Sequence, residues 1–425
     1  MKKLVAYFKL IKMNNDRSQS LSHTPQTLDQ CESHSSLTSV NAIVTRAKLC
    51  FFLLGLLNNC GSIIVLSGAS DLAKRFGKGH LMSLFSGCLN LFSVAITIIN
   101  AKYLLRVPHR KRVGIATGIF VAGLCFIMTA LAMQSFEMAL FGSTLIGIGC
   151  ACGSVSIQGF MKEFPPEIFG GFASGTGGAG LFGSMYYLTL KISRIDPSSI
   201  FLFLFPVYVC YYLTFAYVVK LKTKFDSVVD QQRRKKNQQT TDSSCDNQAL
   251  SSELLSMLIK KIGFIVCIFG IIYFLQYSSF GYLASTACSK LTGSYYHVTY
   301  AFEIIQCCYQ LGVFLARSSI HLFRVRYLKV LLGLQTSFFA TFIGYALIFQ
   351  PPLEMMFVTV FCIGIVGGLS YSNTIYSVLS DERIVKREKE LALNFVNISS
   401  SLGVVSSSIA GYFFKTFLTT PLSIR

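Results

Sequence analysis

The chain has 425 residues, of which 52% are hydrophobic and 13% charged, with a formal net charge of +19 and a mean hydropathy of +0.55. Soluble domains carry about 25% charged residues, so most of this surface faces something other than water. The positive charge is spread through short stretches between apolar runs, which argues against nucleic-acid binding.

The first 13 residues place Leu4, Tyr7, Phe8 and Ile11 on one helical face, with Lys2, Lys9 and Lys12 largely elsewhere. This pattern fits a basic helix on an anionic membrane surface, a disordered tail or a targeting segment. Residues 14–40 are rich in Ser, Thr, Asn and Gln and read as disordered. Apolar runs near the ~20 residues of a spanning helix then follow at roughly 48–68, 82–105, 113–133, 137–160, 168–190, 199–220, 262–283, 298–316, 327–349, 353–375 and 392–414. The expected fold is therefore an all-α polytopic membrane protein of about 11 transmembrane helices.

A basic break at 221–261, containing Arg233, Arg234, Lys235 and Lys236, divides the runs into six and five. The outline is major-facilitator-like, with two bundles around a midplane site. The expected organisation is a polar N-terminal region (1–47), a first bundle (48–220), a basic cytosolic loop (221–261), a second bundle (262–414) and a short tail (415–425). A cytosolic N-terminus puts most of the 38 Lys and Arg residues on the cytosolic side.

Polar groups at membrane depth are costly and mark either interhelical contacts or a solute path. In the first span these are Asn58, Asn59, Ser62 and Ser67, with Asp71 at the far end, where it either belongs to this set or is simply solvated. In the fifth, Gly175, Thr176, Gly177, Gly178 and Gly180 match a dinucleotide-binding pattern letter for letter. No strand precedes them and no βαβ unit surrounds them, so that reading fails. Gly171, Gly175, Ala179 and Gly183 form a small-residue stripe. It serves close helix packing, or a thin helix lining a pathway with Ser174 and Thr176 within a solute's reach.

Glu303 is the one carboxylate clearly within a predicted span, and either takes part in proton coupling or belongs to a structural pair. Arg317 lies on the same helix about 21 Å away at 1.5 Å per residue, so the two cannot pair. It either snorkels to the cytosolic interface or contacts a solute anion. Tyr309, Gln310, Tyr371, Asn373, Asn394 and Asn397 complete the polar set. All six histidines lie outside spans or at their ends; His80 and His297 would be charged in an acidic compartment. Of the 14 cysteines most lie in or beside apolar runs, with no C-x-x-C. No metal, cofactor or nucleophile–base set is expected, and the chain does not read as an enzyme.

Five segments together carry a resemblance: LLGLLNNCGSIIVLSGASDL (53–72), SGTGGAGLFGSMYYL (174–188), YQLGVFLARSSI (309–320), GGLSYSNTIY (367–376) and DERIVKREKELALNFVNISSSLG (381–403). In this order they are similar to the battenin family of lysosomal and vacuolar membrane proteins. The resemblance implies a major-facilitator-type transporter in a lysosomal or vacuolar membrane. It implies roles in lumenal pH homeostasis, basic amino-acid (arginine) handling and export of glycerophosphodiesters, and it points to Asn58, Asn59, Asp71, Gly175, Gly177, Gly178, Gly180, Tyr309, Gln310, Arg317 and Asn373. Ser154 and Gln276 stand where many relatives have an acid, and Ser70 where they often have His. The C-terminal residues Pro421–Arg425 form no prenylation box. The expected partners are the lipid bilayer and a small polar solute, with protons as a candidate co-substrate. The alternatives are a nucleoside-like solute, or a non-transporting organiser acting through its basic loops on trafficking or the proton pump.

Overall fold

The computed structural model describes residues 28–102, 107–236, 252–289, 300–321, 327–348 and 351–419, and they contain helices and connections with no strand. In chain order the helices are α1 (Leu28–Ser67), α2 (Ala69–Arg75), α3 (Ser83–Leu91), α4 (Ser93–Lys102), α5 (His109–Met133), α6 (Phe136–Met161), α7 (Phe169–Ile192) and α8 (Pro197–Leu202). They continue with α9 (Phe205–Lys236), α10 (Ser252–Tyr277), α11 (Ala284–Ser289), α12 (Ala301–Ser318), α13 (Leu328–Leu347), α14 (Leu353–Ser380) and α15 (Lys386–Thr419). The proposed surface helix at 1–13 and His297 lie outside the described residues.

Over their described residues the eleven apolar runs are helical, run 82–105 being divided between α3 and α4 and run 199–220 between α8 and α9. Nine helices among the described residues are long and apolar enough to cross a membrane by length and composition. The two runs outside that set are α7 and α12. Glycines and hydroxyls dilute α7, whereas Glu303, Gln306, Gln310 and Arg317 dilute α12. Their polarity is tolerable because it faces protein: Thr176, Glu303, Gln306 and Gln310 are all buried.

Two expectations are corrected. Residues 14–40 read as disordered, but α1 begins at Leu28. Val40, Val44 and Ala47 are buried, and a helix once formed gains one backbone hydrogen bond per added residue without needing apolar side chains. Likewise α9 runs on to Lys236, well into the stretch read as a loop.

Local signals set several ends. Gln134 closes α5 in the left-handed conformation (φ 53°), and Ser135 then caps α6 by accepting from the Met138 amide at 3.3 Å. Asp196 caps α8 at the Ser198 amide, 2.9 Å, with Pro197 in the first turn. α10 passes into a π-helical turn at Ser278–Leu283 before α11, and such turns mark strained, often functional, stretches.

α7 is the central wedge. It packs on α1 along one side and α12 along the other. A Cβ at Gly175 would collide with the Phe52 carbonyl, and one at Gly55 would lie 2.9 Å from the Thr176 amide nitrogen. The backbones of α1 and α7 thus touch directly, the expected use of small residues where lipid gives no hydrophobic drive for helix association. α12 joins α14 in the same manner: a Cβ at Gly312 would strike the Phe361 carbonyl. α15 packs on α10 and on α3.

Candidate functional site

A cavity of about 200 Å³ lies among α1, α3, α4, α6, α7, α10, α12, α14 and α15. Drug-sized sites run to ~300–1,000 Å³, so this one suits a small solute. Its wall mixes apolar side chains (Ile63, Leu66, Leu89, Val155) with many hydroxyls and amides: Asn59 and Ser62 from α1, Asn90 and Ser93 at the α3–α4 junction, Ser154 and Gln158 from α6, and Asn397, Ser400 and Ser401 from α15. Tyr273, Tyr277 and Tyr371 add aromatic faces.

Among the described residues, Arg317 is the one charged group in the lining, and neither Asp nor Glu lines the cavity. Its Nη1 donates to the Thr176 hydroxyl at 2.7 Å, and its guanidinium carbon lies 4.1 Å from the Tyr371 ring centroid. The buried Nε has no hydrogen-bond partner among the described residues. α12 carries this arginine in its last turn, and Gly177 lets the two helices close around it, with Arg317 Cδ 3.4 Å from the position of a Cβ there.

The polar wall is internally braced. Asn397 Nδ2 donates to Gln158 Oε1 at 2.8 Å, and Gln158 Nε2 donates to the Tyr371 hydroxyl at 3.5 Å, which links α15, α6 and α14. Asn58 lies behind the wall and is fully buried. It donates to Ser154 Oγ at 2.9 Å and to the Cys150 carbonyl at 3.2 Å, and accepts from Tyr211 at 3.0 Å. It holds α1, α6 and α9 together, while its neighbour Asn59 donates to the Gly55 carbonyl at 2.9 Å and faces the cavity.

Of the sequence-predicted set, Asn59, Thr176, Arg317, Tyr371 and Asn397 therefore line one cavity. Gly175, Gly177 and Gly178 face neighbouring helices instead, Gly178 meeting the Phe52 and Phe314 rings. Ser174 is half-buried on α7. Tyr309 stacks on Phe280 with centroids 3.9 Å apart and accepts a hydrogen bond from Gln276. Gln310 packs against Gly180. Asn373 donates to the Leu369 carbonyl at 2.8 Å on its own helix.

Asp71 and Glu303 lie elsewhere, together. Lys191 Nζ is 2.8 Å from Asp71 Oδ2 and 2.5 Å from Glu303 Oε1, and the Tyr187 hydroxyl donates to Asp71 Oδ2 at 2.9 Å. Asp71, at the end of the first span and 26% exposed, is thus held in an ion cluster. At the other end of the molecule Glu390 is 2% exposed, 3.2 Å from Arg112 Nη1 and 2.5 Å from Lys162 Nζ. This corrects the reading of Glu303 as the one carboxylate within a span, because α15 begins early enough to bury Glu390. Arg112 is itself 2% exposed and donates to Asn100 Oδ1 and the Val107 carbonyl, both at 2.9 Å.

The sequence reading missed Gln158, Tyr273, Tyr277, Lys191, Arg112 and Glu390 as participants. Gln158 was visible as an amide inside a span. The charged residues fall at span ends, where charge is ordinary; only the structure gives their partners. Among the described residues no cluster of His, Cys, Asp and Glu is arranged to hold a metal ion.

The family model described as CLN3 protein matches residues 49–420. Battenin of Dictyostelium discoideum is 23% identical over 390 residues, covering 84% of this chain and 91% of that protein. Battenin of Canis lupus familiaris is 24% identical over 401 residues, covering 87% and 90%, and Protein BTN1 of Candida glabrata is 26% identical over 396 residues, covering 85% and 92%. Among solved structures the E. coli fucose:proton symporter FucP aligns at a TM-score of 0.49 with 12% identity, over 88% of this chain and 98% of that one. The match over residues 49–420 settles the family: this multi-pass membrane protein belongs to the CLN3, or battenin, family.

Proposed function

We propose that the protein is a transporter that exports a small anionic or zwitterionic metabolite from a lysosome or vacuole, with Arg317 as the anion contact. The observation that carries this reading is the composition of the cavity wall: among the described residues, one arginine, no carboxylate, and many neutral hydroxyls and amides. A guanidinium at membrane depth without a counter-ion is costly, and a phosphate or carboxylate supplies both the charge and a planar pair of acceptors. The hydroxyls and amides suit a polyol.

Between the two solute classes that the family resemblance implies, this wall favours glycerophosphodiesters over arginine. Arginine could present its own carboxylate to Arg317, but its guanidinium would find no carboxylate among the described wall residues to pair with. In this reading residues 48–220 and 262–414 form two bundles that meet at the α7–α12 joint, the N-terminus is cytosolic and protons are the candidate co-substrate. The effect on lumenal pH then follows from the coupled flux.

The test is reconstitution of the purified chain into liposomes. Glycerophosphodiester efflux above that from protein-free vesicles supports the proposal. No flux of any glycerophosphodiester, basic amino acid or proton sinks it, and favours a non-transporting role for the basic cytosolic surface.

A further inference from the structure

The two ends of the Arg317 cavity are built differently. At one end Asn397 donates to Gln158, from α15 to α6. About 6 Å further along α6 and ~10 Å further along α15, at 1.5 Å per residue, Lys162 and Glu390 pair at 2.5 Å. Glu390 and Arg112 are each 2% exposed there. Glu390 lies so close to α6 that a Cβ at Gly159 would be 2.5 Å from its Oε1. Opening this end means parting a buried ion pair, which is costly.

At the other end the cavity wall includes Leu66, Ser86 and Tyr277, and the same three residues line a second, smaller cavity of about 40 Å³. They are the partition between the two spaces. The small cavity is also walled by Ala69, Met82, Phe280 and Phe302, and Ala69 and Phe302 are close neighbours in sequence of Asp71 and Glu303. It has room for a few waters only, and an apolar constriction holds back polar solutes until it widens. Leu66 and Ser86 sit within regular helix, whereas Tyr277 is the last residue of α10 before the π-helical turn at Ser278–Leu283. Helices bend at such turns. The half-buried Tyr277 ring rests on other aromatic rings, with centroids 6.0 Å from Tyr273 and 5.0 Å from Phe280. One side-chain hydrogen bond, Ser278 to Ser407 at 3.1 Å, joins the turn to α15. Gly281 in the turn also lines the small cavity, and a Cβ there meets nothing within 4 Å, so the turn has space to move.

We propose that a solute reaches the Arg317 cavity through this small antechamber, from the end of the molecule that carries Asp71 and Glu303, and that the Tyr277 ring is the gate between the two spaces. When the π-helical turn shifts, Tyr277 leaves its place beside Leu66 and Ser86 and the two cavities merge. The contacts of α7 with α12 stay as they are. In the orientation proposed above this is the lumenal end, from which an exporter loads. The inference rests on the transport reading only for what passes the gate.

Cys150 lines the Arg317 cavity and not the antechamber, so its thiol reports entry. The probe is sulfonatoethyl methanethiosulfonate, a small anionic thiol reagent, applied to the purified full chain. Peptide mass spectrometry reads the rate of Cys150 modification apart from that of the other cysteines. Ser83 and Gly281 line the antechamber from α3 and from the π-helical turn, and neither lines the Arg317 cavity. Ser83→Leu and Gly281→Leu, which fill the antechamber, are each expected to slow the modification about tenfold, and Tyr277→Ala to speed it about tenfold, a barrier change of ~1.4 kcal/mol either way. Gly281→Ala is expected to match the parent chain. If one filling variant does not fold, the other carries the test, and where the parent rate is too slow to follow, both are compared in the Tyr277→Ala background. Modification as fast in a folded filling variant as in its reference chain, or no faster in Tyr277→Ala than in the parent, overturns the gate. Flux without this labelling pattern removes the gate and leaves the transport reading standing; the pattern without flux does the reverse.

Discussion

The Arg317 guanidinium carbon lies 4.1 Å from the Tyr371 ring centroid, in the wall of the cavity. Thr176 fixes one nitrogen at 2.7 Å. This constraint, with no carboxylate among the described wall residues, is the ground on which we propose Arg317 as the anion contact.

The role of Tyr371 separates by substitution. Tyr371→Leu removes the face beneath the cation and is expected to raise the KM for an anionic solute by about 2–30-fold, the equivalent of the ~0.5–2 kcal/mol of such contacts. Tyr371→Phe keeps the face and loses the link to Gln158 at 3.5 Å, with a smaller effect expected. Concentration-dependent uptake measures both.

Glu390→Gln is expected to destabilise the fold strongly. It leaves Arg112, 2% exposed, without its carboxylate. Removing one partner of a buried pair costs about 3–5 kcal/mol. The chain has no Trp, so melting in detergent is best followed by circular dichroism. An unshifted melting temperature would show that Asn100 and Val107 alone satisfy Arg112.

Glycines divide by what surrounds them. Gly175→Ala drives a methyl into the Phe52 carbonyl and is expected to cost about 1–3 kcal/mol, as overpacking does. Gly118→Ala and Gly333→Ala meet nothing within 4 Å and are expected to be neutral or to stabilise by up to ~1 kcal/mol through helix propensity. Thermal unfolding of the three variants side by side checks the contrast.

The loop cap at Asp196 gives a pH prediction of known sign. The Ser198 side chain and amide, with Arg75, hold the Asp196 carboxyl below its usual range. Its stabilisation is complete above the unfolded value of 3.8 and is lost only as pH falls through the lower folded value. Protection at Ser198–Leu202, corrected for intrinsic exchange rates, is therefore expected to be unchanged between pH 7.5 and 5. A loss of protection there over that window would contradict this assignment.

The spans were legible because a bilayer demands long apolar runs whatever their tertiary partners. Gln310, Asn58 and Glu303 were visible as polar residues in apolar surroundings, but a linear pattern gives no direction around a helix. It therefore did not separate Asn59, which faces the cavity, from Asn58, which braces the wall behind it. Lys191 and Glu390 were harder still: each falls near a span end, and their partners are 112–120 and 228–278 residues away in sequence. The overlong helices α1 and α9 escaped because polar flanks read as loop, although helix propagation beyond the membrane needs no apolar side chain.

The central claim is that Arg317 selects an anion. The most direct measurement is competition in proteoliposomes: uptake of a labelled glycerophosphodiester against excess unlabelled glycerophosphodiester or arginine, for the parent chain, Arg317→Lys and Arg317→Gln. The account predicts competition by the glycerophosphodiester and none by arginine, partial activity in Arg317→Lys and at least a tenfold loss of uptake in Arg317→Gln, the ~1.4 kcal/mol or more that a charge-assisted contact supplies. Glycerophosphodiester uptake unchanged in Arg317→Gln, or transport of arginine in preference to it, would contradict the account.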